Sequence, residues 1–462
     1  MDIFALLELY VFLILGELLV LTVVIRIFVE KKKPSSMVAW LLATLFIPYL
    51  AVPFYFIFGI RKRKSQHYKS AIQLNKINNI ANVSPHTIST VLTNQGIPEA
   101  TTNNTLVLYT NGTDAFKALL QHINKATKSV YISSYVFKND KVTQKLLEAL
   151  VERARAGVKI KLLIDSLGSY QVYFWQRIFR PLKSAGGDIC FFMPIIQMPF
   201  RNYINFRNHR KIYLFDGKSV LTGGMNLGNE YMGPEPCQKR WDDLLFLIRG
   251  DGVCHFHNIF VSDWSYSAKE TIPEMLNSPT EYCGNNCLQI VPSGPDITND
   301  ALYESLITGI YAAQKRVWII TPYFIPSESL MEALKIAYYR GVNVKLITPK
   351  VSNHLIADLA RSYYMRQLQL IGIDIILFDK KMIHAKAILF DDKAVMLGSV
   401  NLDNRSLFLN YEVVIFAYDK MIIEEICQWM SNLLANSNSS LPEPSRYRKI
   451  GENMVKFLVP LL

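Results

Sequence analysis

The sequence predicts an α/β protein: two fused halves related by pseudo-two-fold symmetry, each a mostly parallel sheet flanked by helices, behind an N-terminal transmembrane anchor. Three observations carry this. The phrase HRKIYLFD at 209–216 returns as HAKAILFD at 384–391. The segments around each phrase repeat in the same order. Two apolar runs dominate the first 60 residues.

The anchor comes first, over residues 1–64. Leu9 to Val29 and Met37 to Ile60 are each close to the roughly 20 residues that cross a bilayer. Glu17 and Arg26 interrupt the first run, Pro48 and Pro53 the second. A mid-span Glu17 costs about 2.5–3.5 kcal/mol, which the long apolar flank outweighs. No basic leader or small-residue cleavage site marks a signal peptide. Basic clusters follow each run, at Lys31–Lys33 and Arg61–Lys64. Two spans would put these clusters on opposite sides, whereas a Pro-broken re-entrant second segment would keep both inside. The expectation is two spans with the remainder in the cytoplasm.

A polar, Asn/Thr-rich connector follows at 65–105, expected to pack loosely on the first half at 106–272. A second connector at 273–300 leads to the second half at 301–462. Between the halves, SVYISSYVF (129–137) matches RVWIITPYF (316–324), and RAGVKIKLLID (155–165) matches YRGVNVKLITP (339–349). GGDICFF (186–192) likewise matches GIDIILF (372–378). Helical stretches lie between these strands, which implies βαβ units. The Met-, Pro- and aromatic-rich stretch at 191–206 suits a loop that dips into lipid.

The repeated phrase carries the chemistry. His209 and Lys211, like His384 and Lys386, stand two apart and share one face of an extended strand. Each phrase runs into a glycine turn bearing an asparagine, GGMN at 223–226 and GSVN at 398–401. Two imidazoles, two ammoniums and two carboxamides suit in-line displacement at a phosphodiester. Lys211, Lys386, Asn226 and Asn401 would hold the charged oxygens, with Gly224 and Ser399 counted on the substrate side. Asp216 and Asp391 complete the catalytic motifs, although their place past a strand end suits bracing the turn by ion pairing. Each histidine also needs its second nitrogen fixed. Aligning RWDDLLFL with NYEVVIFA pairs Asp242 with Glu412, so Asp242 would orient His209 and Glu412 His384, or each would cross to the other half.

Composition agrees with anionic partners, since the net charge is +12. The six cysteines include no C-x-x-C pair and read as reduced thiols. No P-loop, H-E-x-x-H or carboxylate cluster is present, so neither metal nor cofactor is expected.

RNHRKI (207–212), GGMNLGNEY (223–231), TPYFIP (321–326) and GSVNLDNRSLFLNYE (398–412) make the chain similar to the phospholipase D superfamily. With its apolar N-terminus, it resembles the bacterial cardiolipin synthases, from about Ile3 to the C-terminal end. The resemblance implies that His209 attacks phosphorus and His384 handles the leaving group's proton, joining two phosphatidylglycerols into cardiolipin with loss of glycerol. It also implies a multi-pass protein of the plasma membrane with its catalytic part facing the cytoplasm. Hydrolysis by a membrane-bound phospholipase D, a superfamily nuclease and a non-catalytic anionic-lipid binder are the rival readings. The expected partners are the bilayer and its anionic phospholipid rather than nucleic acid, and a homodimer is left open.

Overall fold

The computed structural model describes residues 3–29, 34–59, 86–197, 205–275, 282–439 and 441–455, with Lys69, Ile72 and Leu74. They fall into two compact units, one of residues 1–64 and 195–206, the other of 65–194 and 207–462.

In the first unit, helix α1 (Ile3–Val29) is followed by α2 (Pro34–Phe46) and α3 (Pro48–Phe58). Pro48 restricts the residue before it, and Ile47 leaves helical geometry at φ −137°, ψ 58°. The chain folds back there. The Trp40 and Tyr55 rings meet edge-on with centroids 5.2 Å apart, where a continuous helix would hold them ~22 Å apart. Val23 and Ile27 of α1 pack with Val52 and Tyr55, and Gly16 lies beside Tyr49. Helix α3 therefore runs in the direction of α1, and α2 runs against both. The second apolar run is thus a hairpin with both ends on one side, which differs from the expected second span. The basic clusters that flank it lie outside the described residues. Among residues with described side chains, no helix is long and apolar enough to cross a membrane. Residues 198–204, seven of the sixteen in the stretch expected to enter lipid, also lie outside the described residues.

The second unit holds both halves. The first sheet comprises β1 (Asn104–Tyr109), β2 (Ser129–Ser134), β3 (Lys159–Asp165), β4 (Asp188–Phe192), β5 (Ile212–Phe215), β6 (Ser219–Gly223) and β7 (Leu245–Gly250). Its order is β1-β7-β6-β5-β2-β3-β4. The second half contributes β8 (Leu288–Ser293), β9 (Arg316–Ile320), β10 (Phe324–Ile325), β11 (Asn343–Pro349), β12 (Asp374–Phe378), β13 (Ala387–Phe390), β14 (Ala394–Gly398), β15 (Leu402–Asp403), β16 (Glu412–Ala417) and β17 (Asn438–Ser439). Its sheet runs β17-β12-β11-β9-β13-β14-β16-β8, with β10 and β15 paired apart. Setting β17 aside, the two orders match strand for strand.

Both sheets are mixed, not mostly parallel. Only β2-β3-β4 and β9-β11-β12 are parallel. Helices such as Lys141–Arg155 and Glu328–Tyr339 make those crossovers. The motif strands β5 and β13 return through tight turns, which forces antiparallel pairing. Strand β8 lies within 273–300, the expected connector, yet edges the second sheet. Helix α4 (Thr87–Asn94), from the first connector, buries Ile88 and Leu92 against Leu306 and Ile310 in the core of the second half, not the first.

Candidate active site

Each His-Lys stretch ends just before its strand begins, and there it leaves its own sheet. Asn208 forms a parallel bridge with Tyr411, and Ile383 one with Asp242. The His209 N–H donates to the Tyr411 carbonyl at 2.9 Å, and the His384 N–H to that of Asp242 at 2.7 Å. This pairing sets the register across the seam, so the next residue on each facing segment lies against a ring. His209 Nδ1 stands 2.9 Å from Glu412 Oε2, and His384 Nδ1 stands 2.7 Å from Asp243 Oδ2. With a carboxylate at Nδ1, Nε2 is the nitrogen left for chemistry. Both histidines, with Asn226 and Asn401, line one cavity of about 940 Å³.

The orienting acids correct the alignment made from sequence. Glu412 serves the histidine of the other half, the crossed arrangement. Its counterpart is Asp243, not Asp242, whose carboxylate meets Lys381 Nζ at 3.4 Å. A slip of one residue on extended chain turns a side chain to the opposite face.

Neither motif ammonium lies on the cavity wall. Lys211 Nζ donates to the His209 carbonyl at 2.8 Å, and Lys386 Nζ donates to that of His384. Burial lowers Lys211 to about 7, with Lys386 adding to the fall while Glu412 and Asp243 oppose it. Burial lowers Lys386 to about 8 against the pull of Asp243 and Glu412. It also brings His384 down to about 3, helped by Lys386, and lowers His209 against the pull of Glu412. Burial works to raise the Glu412 and Asp243 carboxyls, but the neighbouring His and Lys groups hold both below the usual range. The site thus holds neutral imidazoles, ionised carboxylates and ammoniums that a bound anion would keep charged.

Asn226 Oδ1 accepts from the Val136 N–H at 3.3 Å. Asn401 Nδ2 meets Ser406 Oγ at 3.3 Å, while its buried Oδ1 has no partner among the described residues. Turning this amide over gives the Ser406 hydroxyl an acceptor and frees Nδ2 to donate to an anion. Gly224 and Ser399 are not on the cavity wall. The Ser399 hydroxyl donates to the Glu412 carboxylate. Gly224 backs Asp243 so closely that a Cβ would fall 2.1 Å from Oδ1.

Asp216 and Asp391 stand away from the cavity, at φ 55° and 53°. Asp216 accepts the N–H groups of Thr127, Lys128 and Ser129 at 2.7–2.9 Å. Asp391 accepts those of Gln314, Lys315 and Arg316 at 2.7–3.0 Å. They brace their turns through peptide groups rather than the expected ion pairs.

Sequence reasoning missed Arg210. It points away from His209 and Lys211, as the middle residue of an extended triplet must. Its guanidinium meets Asp263 at 2.8 Å and Asp296 at 3.0 Å, and its Nε donates to the Glu412 carbonyl at 3.0 Å. Lys69 Nζ also bonds both acids. The counterpart of Arg210 in the second phrase is Ala385, so the repeat gave no signal.

Residues 119–264 and 306–434 match the family model described as cardiolipin synthase, phospholipase D-like domain. Residues 18–59 match a phospholipase D-nuclease N-terminal model. A cardiolipin synthase of Clostridium perfringens strain SM101 is 31% identical, over 94% of this chain and 96% of its own length. The major cardiolipin synthase ClsA of Bacillus subtilis is 32% identical, over 96% and 97%. The crystal structure of a phosphatidylserine synthase from Haemophilus influenzae superimposes with a TM-score of 0.61 at 15% identity, covering 81% of this chain and 98% of that one. That likeness concerns the fold alone.

Proposed function

The chain belongs to the cardiolipin synthase family with phospholipase D-like domains, and we propose that it transfers a phosphatidyl group from one phosphatidylglycerol to another, giving cardiolipin and glycerol. One observation carries this: two histidines, each held by a carboxylate from the opposite half, face a single cavity. As the donor phosphodiester enters, Lys211 and Lys386 turn from their backbone carbonyls to its non-bridging oxygens, and the motif amides add directed donors. The anion also raises His384, which binds a proton. His209 Nε2 attacks phosphorus, and the P–O bond to glycerol breaks as His384 gives its proton to the departing oxygen. Glu412 stabilises the positive charge on the phosphorylated ring. The hydroxyl of the second lipid then attacks, His384 takes its proton, and the P–N bond breaks. One phosphodiester replaces another, so no nucleotide is consumed.

The test is full-length protein in detergent with labelled phosphatidylglycerol and EDTA. Cardiolipin and glycerol should appear in equal amounts, and His209→Ala or His384→Ala should abolish them. Phosphatidate as the sole product would make the chain a hydrolase, and activity restored only by a divalent ion would end the metal-free scheme.

The first unit supports a membrane-bound protein. Counted on the sequence alone, the apolar run from Leu9 to Val29 matches the roughly 20 residues that cross a bilayer once. The α2–α3 hairpin would enter and leave on one side, so both basic clusters and the catalytic unit lie in the cytoplasm.

A further inference from the structure

An exposed apolar path leads out of the cavity and onto a neighbouring helix. Leu355 and Ile356, the first residues of the helix Leu355–Leu370, line the cavity and are 75% and 51% exposed, which places them at its mouth. Leu359 stands one turn further along the same face as Leu355 and is half-buried. The helix Arg446–Val455 meets it there, where a Cβ on Gly451 would lie 3.9 Å from Leu359 Cδ2. Tyr447 and Met454, one turn either side of Gly451, form a single stripe with Ile450 at the i, i+3, i+7 spacing. All three are exposed, Tyr447 by 86%.

The polar contacts of this helix fix which way the stripe faces. Glu452 accepts from Arg366 and from Arg448 at 3.0 Å each, and Arg448 also reaches Ser362 Oγ at 3.2 Å. Those groups take the side that packs on Leu355–Leu370, so the stripe looks outward. Exposed Arg446 and Lys449 flank it, while the helix's single acid, Glu452, is already neutralised. Large apolar side chains in a row with cations beside them suit a helix lying in the surface of an anionic bilayer. The path back to the cavity favours lipid over a protein partner. A phospholipid moving from the bilayer to the histidines would keep its acyl chains on apolar surface throughout, never in water.

We propose that the helix Arg446–Val455 lies in the surface of an anionic bilayer with its stripe in the lipid, and so holds the mouth at Leu355 and Ile356 against the membrane that supplies the substrate. This rests on the reading of the chain as a membrane-bound phosphatidyl transferase.

The experiment places full-length protein in nanodiscs of phosphatidylglycerol and phosphatidylcholine, with the exposed Cys237 changed to Ser and a bimane label on Ile450→Cys. Lipids with a nitroxide on the acyl chain should quench that label. The same label on Leu370→Cys should stay bright, because Leu370 is 85% exposed but lies ~22 Å along its helix from the mouth. In the combined variant Tyr447→Ser, Ile450→Ser and Met454→Ser, kcat/KM on phosphatidylglycerol vesicles should fall about tenfold or more. On monomeric dibutyroyl-phosphatidylglycerol it should match wild type. No quenching at position 450, equal quenching at 370, an unchanged rate on vesicles or an equal loss on both substrates would each overturn the proposal. So would shielding of position 450 by self-association of the protein in detergent. Quenching at 450 from a wild-type protein that made no cardiolipin on either substrate would instead remove the transferase reading and leave the docking surface standing.

Discussion

His384 is oriented through Asp243 at 2.7 Å, while the adjacent Asp242 lends the site only its backbone carbonyl. Asp243→Asn should therefore lower turnover about 10²-fold, and Asp242→Asn should stay within a few-fold of wild type. Equal losses in steady-state assays would reverse the assignment. The lysines give a second expectation. Only the charged ammonium binds an anion, and burial lowers the two to about 7 and about 8. Phosphate between them raises both, so binding takes up protons, and affinity falls as pH rises from 7 to 9. The KM for short-chain phosphatidylglycerol should climb over that interval. Calorimetry in two buffers of different ionisation heat should register the uptake, and no uptake would contradict the charge assignment. At this scale the histidines, lysines and asparagines were legible because they repeat at fixed spacing. Asp243 was not, because anchoring the alignment on an aromatic rather than on the apolar run LLFLI shifted it by one residue.

Among the elements, the motif hairpins do the positioning, and the half-sites differ in how they hold their acids. The first half has a bare Gly224 behind Asp243, while the second uses the Ser399 hydroxyl on the longer Glu412. Gly224→Ala would put a methyl group where Asp243 Oδ1 stands. It should cut turnover about 10²-fold, since small misplacements at a reacting centre are that costly. It should also cost ~1–3 kcal/mol by overpacking. Wild-type kinetics with an unchanged melting curve would show that the acid has room to move. The sequence revealed the duplicated hairpins but not the mixed sheets. Its βαβ pattern covers three strands in each half, whereas β5–β6 and β13–β14 turn back directly through tight loops. Strand β8 was hidden for a related reason: its LQIVPS follows a stretch that reads as loop, and its partner β16 lies far along the chain.

For the whole molecule, the junction of the halves depends on buried charge that the polar composition of 65–105 disguised. Lys69 and Arg210 sit between Asp263, from the last helix of the first half, and Asp296, at the start of the second, and all four are buried. Two cations balance two anions. Lys69→Met leaves one carboxylate uncompensated and should cost about 3–5 kcal/mol, seen as a lower melting temperature of the detergent-purified protein. An unchanged melting temperature would refute that role. The anchor supplies the last expectation. Because Trp40 folds back onto Tyr55, the start of α2 and the end of α3 lie at the same end of the hairpin. Lys32→Cys and Lys62→Cys should both resist an impermeant maleimide in intact cells and react after permeabilisation, whereas Asp2→Cys should react from outside. If the second apolar run crossed the bilayer, only one of the two lysine positions would be protected. Labelling of Lys32→Cys in intact cells would therefore reject the hairpin and restore two spans, with the two basic clusters on opposite faces of the membrane.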